Sequence, residues 1–375
     1  MCSARGARTL PGRRPLASRR VSAATPLSEL TTLRLGGPAA RMVDATSEEE
    51  LVSLVRAADD GDEPLLILAG GSNVVVADAG FAGTVVRVAT RGVEQLQRSD
   101  GRVWLDVQAG EEWDALVAMC VDNELSGIEA LSGIPGSVGA TPIQNVGAYG
   151  QEVADVIAGV RALDRDSGEI HELDVEECLF DYRSSAFKRD PGRWVVLRVT
   201  FAFEPGEVSE PIRYAELARR LRIEEGDRAP LADVRAAVLE LRRGKGMVLD
   251  PTDPDTVSAG SFFTNPVLRE HAFAAFAARA AERLGPGDPP PSWPAGQHRY
   301  VKTSAAWLIQ RAGFQRGYGN PDGIAISSKH TLALSNRGAG TTTELVALAR
   351  EIAAGVHDAF GIELVPEPVF VGHDW

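Results

Sequence analysis

The pattern of hydrophobic and polar positions in residues 26–205 predicts short strands interspersed with helices. Ser47 and Glu50 form a capping box, and hydrophobic side chains at 51, 54, 55 and 58 then lie on one helical face. A second helix should turn Trp113 and positions 116, 117 and 120 inward. Strands are predicted at residues 65–68, 84–88, 103–107 and 194–203, with a strand-like run at 74–76 and a hairpin turn at 166–168. The irregular order of these elements indicates an α+β domain and not a doubly wound sheet.

A polar segment at residues 204–211 contains two prolines and a glycine, and it predicts a domain boundary. Beyond it, helices are predicted at 214–221, 231–243, 271–283, 304–312 and 343–360, with short strands near 262 and at 324–326 and 332–334. The proline-rich residues 285–294 are expected to form a surface loop. A length of 375 residues also favours more than one domain, because a single hydrophobic core rarely grows that large.

The charge and the cysteine content exclude several classes of protein. A formal net charge of −13 argues against a general nucleic-acid binder, which needs a basic surface. Three cysteines, at positions 2, 120 and 178, and six scattered histidines give neither a disulfide framework nor a metal-ligand spacing, so we expect no metal. The first 22 residues carry six arginines without the apolar stretch of a secretory signal, and no run could cross a membrane. Residues 1–25 are therefore expected to be a disordered basic extension on a cytoplasmic protein.

Two glycine-rich segments are the candidate ligand-binding loops. The chain contains neither a P-loop, nor a serine-hydrolase elbow, nor a Rossmann fingerprint. It does contain Gly70-Gly71-Ser72-Asn73 after a predicted strand, and a longer segment at residues 132–150 that is rich in glycine, proline and hydrophobic residues. Successive backbone N–H groups in such loops can hold a pyrophosphate. Two such loops in one domain suit a dinucleotide cofactor that extends between them.

Five segments together resemble UDP-N-acetylenolpyruvoylglucosamine reductases, also called UDP-N-acetylmuramate dehydrogenases. They are residues 68–74 and 134–150 in the two loops, Asp181-Tyr-Arg-Ser-Ser-Ala-Phe-Lys188, Ala259-Gly-Ser-Phe-Phe-Thr-Asn-Pro266, and Val365-Pro-Glu-Pro-Val-Phe-Val-Gly372. The resemblance spans about residues 26–372 and implies a PCMH-type FAD-binding domain at 26–205. It also implies a smaller α+β substrate-binding domain at 206–375, whose last strand returns to the FAD domain.

The resemblance further implies a ping-pong reaction in which NADPH reduces non-covalently bound FAD and the enolpyruvyl ether of UDP-N-acetylglucosamine is then reduced. Arg183 matches the family's arginine beside the substrate carboxylate, where a planar cation stabilises the developing negative charge. Ser261 matches the proton donor to carbon, and Glu367 matches the glutamate on the opposite side of the enolate. A carboxyl group at that place must be protonated or paired with Arg183.

The binding residues are predicted from the same matches. The cofactor set is Gly70, Gly71, Ser72, Asn73, Ile134, Pro135, Gly136, Ser137, Gly139, Thr141 and Ile143. The set for the UDP-sugar is Tyr214, Lys245, Asn265, Arg316 and His330, in which Tyr214 resembles the tyrosine that closes over the diphosphate in one subtype of the family. The partners expected are therefore the UDP-sugar and NADPH, without nucleic acid or membrane, and the protein is expected to be a monomer.

Two alternatives remain open at this point. Another PCMH-type flavoprotein, such as an FAD-linked alcohol or lactone oxidase, would often attach its flavin through a histidine, and the first 170 residues contain none. A flavin-binding or UDP-sugar-binding protein without catalytic activity would not need Arg183, Ser261 and Glu367 together.

Overall fold

The structure, a computed structural model, describes residues 25–295 and 299–375. The predicted disordered extension, apart from residue 25, lies outside the described residues. The helices are α1 (Glu48–Asp60), α2 (Trp113–Asp122), α3 (Ala186–Arg189), α4 (Ala215–Leu221), α5 (Leu231–Gly244), α6 (Glu270–Leu284), α7 (Ala305–Arg311) and α8 (Thr342–Phe360). Within the described ranges, none of these helices has both the length and the apolar character needed to cross a bilayer.

The strands are short and belong to several small sheets. They are β1 (Ala39–Ala45), β2 (Leu65–Leu68), β3 (Val74–Val76), β4 (Phe81–Val88), β5 (Val93–Leu96), β6 (Val103–Gln108), β7 (Leu125–Ser126), β8 (Gly147–Ala148), β9 (Gln151–Glu152), β10 (Ile157–Asp164), β11 (Ile170–Leu173), β12 (Trp194–Pro205), β13 (Val267–Arg269), β14 (Ser292–Ala295), β15 (Tyr300–Thr303), β16 (Ile324–Ile326), β17 (Leu334–Asn336) and β18 (Val369–Val371).

The first part of the chain builds two sheets around one large core. Strands β1, β4 and β2 form a parallel sheet, and β11, β10, β12, β6 and β5 form an antiparallel one. Helix α1 begins as predicted, since the Ser47 hydroxyl accepts a hydrogen bond from the Glu50 N–H. Trp113 is fully buried on α2, and its indole N–H donates to the carbonyl of Leu131 just before the second glycine-rich segment. This segment is therefore held directly on the core.

A second core forms around helices α6, α7 and α8 and the β16–β17 hairpin. Phe276, Trp307 and Phe360 meet at its centre, with ring centroids 5.6–6.1 Å apart. The chain then returns to its first part, where β18 pairs in parallel with β3. This pairing brings Glu367, which lies just before β18, close to the first glycine-rich loop.

Helices α4 and α5 pack against the first part of the chain. Their buried residues, among them Leu217, Val234 and Val238, form a cluster with Ala130, which lies two residues before the second glycine-rich segment. Arg235 of α5 makes two hydrogen bonds, of 2.7 and 2.9 Å, with the carboxylate of Asp114 on α2. The domain boundary near residue 206 stays a prediction. This packing joins the two helices after that boundary to the residues before it.

Several predictions of secondary structure differ from what the chain forms, and the strand expected at 84–88 already begins at Phe81. The strand expected near 262 is reduced to an isolated bridge between Phe263 and Pro366, because the N–H of Phe262 donates to the carbonyl of Leu332 and does not extend the pairing with the segment around Glu367. The surface-loop prediction is wrong for residues 292–294, which belong to β14. Strand β14 contains Pro294 and lies at the edge of the β13–β15–β14 sheet, the position where proline is tolerated. The strand expected at 332–334 instead begins at Leu334 and continues to Asn336.

Candidate active site

A cavity of about 860 Å³ lies where the two glycine-rich loops meet the turn around Arg183 and the segments of Ser261 and Glu367. Most of the predicted cofactor residues line it: Gly70, Gly71, Ser72, Asn73, Ile134, Pro135, Gly136, Ser137, Thr141 and Ile143. Gly139 does not. It packs against Ala109, and a Cβ at Gly139 would lie 2.4 Å from the Cβ of Ala109. Gly139 therefore supports the loop from behind.

The two glycine-rich loops touch each other, and this contact requires glycine. A Cβ at Gly70 would lie 2.7 Å from the Cα of Gly136 in the opposite loop. Gly71 has a φ of +60°, and a Cβ there would lie 1.9 Å from the carbonyl oxygen of Leu30. The loops thus form one continuous wall of backbone along the cavity.

This wall carries hydrogen-bond donors without protein acceptors. In the described part of the chain, the backbone N–H groups of residues 70–73 donate to no other protein group. The buried hydroxyl of Ser137 likewise has no partner among residues 25–295 and 299–375. A buried hydroxyl such as that of Ser137 is nearly always satisfied, and consecutive free N–H groups such as those of residues 70–73 form a site for an anion. The loops therefore fit the pyrophosphate of a dinucleotide such as FAD.

Arg183 lies in a tight turn that orients its guanidinium into the cavity. Its backbone is left-handed, with a φ of 50°, and the turn is closed by two hydrogen bonds between Asp181 and Ser184. The guanidinium donates to the carbonyl oxygens of Asn145, at 3.1 Å, and Gly147, at 2.5 Å. Both acceptors belong to the second glycine-rich segment, so the cation is anchored on the loop that lines the cavity.

Glu367 and Ser261 are brought together by backbone pairing. The N–H of Glu367 donates to the carbonyl of Phe262 over 2.8 Å, directly after Ser261 in the chain. The side-chain amide of Asn73 donates to the Glu367 carbonyl at 3.2 Å. Both Ser261 and Glu367 line the cavity. A short antiparallel contact thus brings together two residues that are more than 100 positions apart in the sequence.

The Glu367 carboxylate faces Arg183. Its Oε1 lies 3.5 Å from the Nε of Arg183, and both side chains are about four-fifths buried, with 17% and 21% exposure. Burial raises the pKa of Glu367, while the charges of Arg183 and Lys188 oppose that rise. The three predicted catalytic residues therefore share one end of the cavity, with an ion pair between two of them.

The predicted substrate residues occupy the other parts of the cavity wall, with one exception. Tyr214, Lys245, Asn265 and His330 line the cavity, whereas Arg316 is exposed outside this lining. The ammonium of Lys245 donates to Oε2 of Glu216 over 2.5 Å. It also lies 5.6 Å from the ring centroid of Tyr149, and this ring packs edge-on against Tyr214. Burial and the charges of Lys245, Arg316 and Arg242 lower the pKa of His330 to about 4. His330 is thus neutral at pH 7, among cations.

Several cavity residues were not selected from the sequence. Three of them lie within the segments that carry the family resemblance: Lys188, Gln144 and Tyr182. Their closeness in sequence to predicted residues is the signal that could have identified them. Lys302 comes from β15, and its ammonium lies 4.7 Å from the ring centroid of Tyr182. Arg242 comes from α5 and also lines the cavity. Neither of these two positions is marked by a motif, so only the fold reveals them.

Two family models match the chain. One, described as an FAD binding domain, matches residues 39–174, and the other, described as the C-terminal domain of UDP-N-acetylenolpyruvoylglucosamine reductase, matches residues 251–371. The UDP-N-acetylenolpyruvoylglucosamine reductase of Thermobifida fusca is 58% identical over 348 residues, which are 92% of this chain and 97% of that relative. The chain belongs to the UDP-N-acetylenolpyruvoylglucosamine reductase family.

Further relatives agree with this assignment to the reductase family. The protein of the same name from Streptomyces coelicolor is also 58% identical over 348 residues, covering 92% of this chain and 89% of its own length. The crystal structure of the reductase from Thermus caldophilus superposes with a TM-score of 0.61 at 25% identity, covering 93% of this chain and 98% of that one. The predicted α+β fold, with a PCMH-type FAD-binding domain, is confirmed, and so is the prediction of an FAD-dependent oxidoreductase.

Proposed function

We propose that this reductase uses NADPH to convert the enolpyruvyl ether of UDP-N-acetylglucosamine into UDP-N-acetylmuramate, a precursor of peptidoglycan. The observation that carries the proposal is the grouping of Arg183, Glu367 and Ser261 at one end of a cavity lined by two glycine-rich loops. Reduction of an enolpyruvyl group needs a cation that stabilises the negative charge developing on the substrate carboxylate. It also needs a proton donor beside the carbon that bears this carboxylate. This grouping supplies both.

The loops at residues 70–73 and 134–143 are proposed to hold FAD, which supplies the reducing equivalents that it receives from NADPH. Their unpaired N–H groups would bind its pyrophosphate without a cationic side chain. Tight contact between Gly70 and Gly136 keeps both loops in place.

Arg183 is proposed to bind the substrate carboxylate. Its guanidinium is fixed by the carbonyls of Asn145 and Gly147, so it need not reorganise as negative charge develops on the substrate. Such preorganised charge typically contributes about 3–4 kcal/mol to transition-state stabilisation. The salt bridge to Glu367 limits how far Arg183 can follow the substrate.

Ser261 is proposed to donate the proton that completes the reaction. A serine hydroxyl is a weak acid, so it must be held close to the carbon that receives the proton. The contact between Phe262 and Glu367 fixes the backbone directly after Ser261. Glu367 would lie on the other side of the same carbon skeleton. There burial raises the pKa of Glu367, and the Arg183 charge opposes that rise.

The UDP-sugar is proposed to extend towards Tyr214, Lys245, Asn265 and His330, with Arg316 as an outer cation. Lys245 suits a diphosphate, and neutral His330 can donate or accept a hydrogen bond there. NADPH is proposed to enter the same cavity in the other half of the reaction. A monomer in the cytoplasm would suffice for this chemistry, because every proposed residue comes from one chain.

The proposal is tested by incubating the purified holoenzyme with NADPH and enolpyruvyl-UDP-N-acetylglucosamine and analysing the products by mass spectrometry. We expect a product that contains two more hydrogen atoms than the substrate and forms in step with NADPH oxidation. Oxidation of NADPH without this product would contradict the proposal.

A further inference from the structure

Lys188 is a half-buried cation of the site to which the proposed reaction gives no task. It lies on the short helix α3, where its own N–H donates to the hydroxyl of the N-cap residue Ser185. The Ser185 hydroxyl also donates to the carbonyl of Ile143 over 2.5 Å, so α3 is fastened to the second glycine-rich segment. Lys188 is thereby held against the predicted catalytic residues.

The ammonium of Lys188 faces two acceptors. It donates to the carbonyl oxygen of Arg183 over 3.0 Å and approaches the side-chain oxygen of Gln144 at 3.5 Å. An ammonium can only donate hydrogen bonds, so Lys188 fixes which end of the Gln144 amide turns towards it. The amide nitrogen of Gln144 is then directed at Glu367, 3.3 Å from Oε1.

Oε1 of Glu367 consequently faces two groups that can only donate, the amide nitrogen of Gln144 and the Nε of Arg183. A protonated oxygen at this position would direct its hydrogen at another hydrogen. The charged or titratable groups around Glu367 are Arg183 and Tyr182 from the 181–184 turn and Lys188 from α3. Two of these three are cations, and their charge, together with the two donors that face Oε1, favours the carboxylate form of Glu367.

We propose that Lys188, acting through Gln144, is a positioning residue that keeps Glu367 ionised in the free site, so that Glu367 takes up a proton when a carboxylate ligand binds beside it. This inference rests on the proposed function, which brings the substrate carboxylate to Arg183. That carboxylate would share the Arg183 cation with Glu367 and would add a negative charge close to it. Burial already raises the pKa of Glu367, and the second negative charge would raise that pKa further.

The experiment measures proton uptake by calorimetry of the oxidised holoenzyme in buffers of different ionisation enthalpy. UDP-N-acetylmuramate carries the carboxylate, and UDP-N-acetylglucosamine is a matched ligand without it. His330 is near the cationic part of the site and could itself take up a proton when a diphosphate binds, so the difference between the two ligands isolates the carboxylate. We expect uptake specific to UDP-N-acetylmuramate that approaches one proton per site at its optimal pH.

Three variants test the assignment, with a control on the same helix. Glu367→Gln should abolish the uptake that is specific to the carboxylate. Lys188→Met and Gln144→Leu each remove an interaction that favours the ionised form of Glu367, so they should raise its pKa. The pH of maximal uptake should therefore rise by about one unit or more. Arg189→Met is the control, because Arg189 is the next residue of α3 and donates to the exposed Leu179 carbonyl instead. It should leave the uptake profile unchanged.

Uptake that is equal for the two ligands, or that persists in Glu367→Gln, would overturn the proposal. An unchanged uptake profile in Gln144→Leu would overturn the part that Lys188 plays through this amide, even if Lys188→Met failed to fold. If neither UDP-sugar bound to the wild-type holoenzyme, the proposed function itself would be contradicted and the inference would fall with it.

Discussion

Arg183 illustrates at the level of one residue how the fold positions a functional group. Its left-handed backbone costs roughly 1–2 kcal/mol in a residue with a side chain. Hydrogen bonds across the turn and from Lys188 to the Arg183 carbonyl offset this cost. A glycine would adopt the turn more easily, but it would carry no guanidinium. The site therefore keeps a strained residue where the proposed chemistry needs a cation.

Ser261 can be tested by separating the two half-reactions. If its hydroxyl donates the final proton, Ser261→Ala should slow reoxidation of the flavin by the enolpyruvyl substrate by about 100- to 10,000-fold. Reduction by NADPH should keep close to its normal rate, because that step takes no proton from Ser261. Stopped-flow absorbance of the flavin follows each half, and Ser261→Cys should recover part of the rate.

The control for this prediction is flavin content, which should be normal in both serine variants. Equal slowing of the two half-reactions would point to a displaced flavin, and the proton donor would then have to be another residue.

The sequence could indicate individual site residues only where they belong to a recognisable segment. Arg183, Ser261 and Glu367 are predicted in this way, and they do share one cavity. Lys302 and Arg242 were missed because they come from an ordinary strand and an ordinary helix. Gly139 was included because it lies within a motif, yet its place behind the loop depends on packing against Ala109. A motif identifies candidate site residues, and the tertiary contacts decide which of their side chains face the cavity.

At the level of elements, the N-terminus of α8 joins the second core to the first. The Asp78 carboxylate accepts hydrogen bonds from the N–H groups of Thr342 and Thr343, at 2.7 and 2.9 Å, and from the Thr343 hydroxyl at 2.7 Å. The hydroxyl of Thr342 donates to the Val76 carbonyl on β3. A negative charge at this helix end is also favourable to the helix dipole. The contact therefore aligns α8 with the strand that pairs with β18.

Asp78→Ala should lower the melting temperature of the holoenzyme by a few degrees, since hydrogen bonds to a charged group contribute about 1.5–3 kcal/mol and this one is partly exposed. Burial alone would raise the pKa of Asp78, but the hydrogen bonds from Thr343 and Thr342 outweigh it and lower the pKa below its ordinary value of 3.8. The stabilisation is therefore complete above pH 3.8 and is lost as the pH falls through the lowered pKa.

Calorimetric melting curves of the wild type and of Asp78→Ala should thus differ by a constant amount at neutral pH and converge in strong acid. Asp358→Ala is the control, because its carboxylate is 85% exposed near the C-terminal end of the same helix. An equal loss of stability in both variants would show that the docking contact contributes nothing specific.

Elements with strong helical periodicity were the ones that could be predicted. The five helices expected after residue 211 all form, and their ends differ from the prediction by one residue at most. The β13–β15–β14 sheet was not predicted, because its three strands are three or four residues long and expose hydrophobic side chains such as Val267, Trp293 and Tyr300. Strands of this length are stabilised by pairing with each other, and the sequence of one strand carries little sign of its partners.

At the level of the whole molecule, an acidic protein encloses a cationic cavity. The chain has a formal net charge of −13, yet Arg183, Lys188, Arg242, Lys245 and Lys302 all line the same space. Local charge, and not net charge, decides which ligand a buried site attracts. The return of β18 to β3 and the contact between the glycine-rich loops bring residues from across the chain to this space. Their convergence is what makes an anionic nucleotide-sugar a suitable ligand.

The most direct test of this account is an anaerobic titration of the purified yellow protein, followed by flavin absorbance. NADPH should bleach the flavin, and enolpyruvyl-UDP-N-acetylglucosamine should then restore the yellow colour, whereas UDP-N-acetylglucosamine and simple alcohols should not. A flavin that NADPH leaves oxidised, or a reduced flavin that the enolpyruvyl substrate fails to reoxidise, would contradict the account.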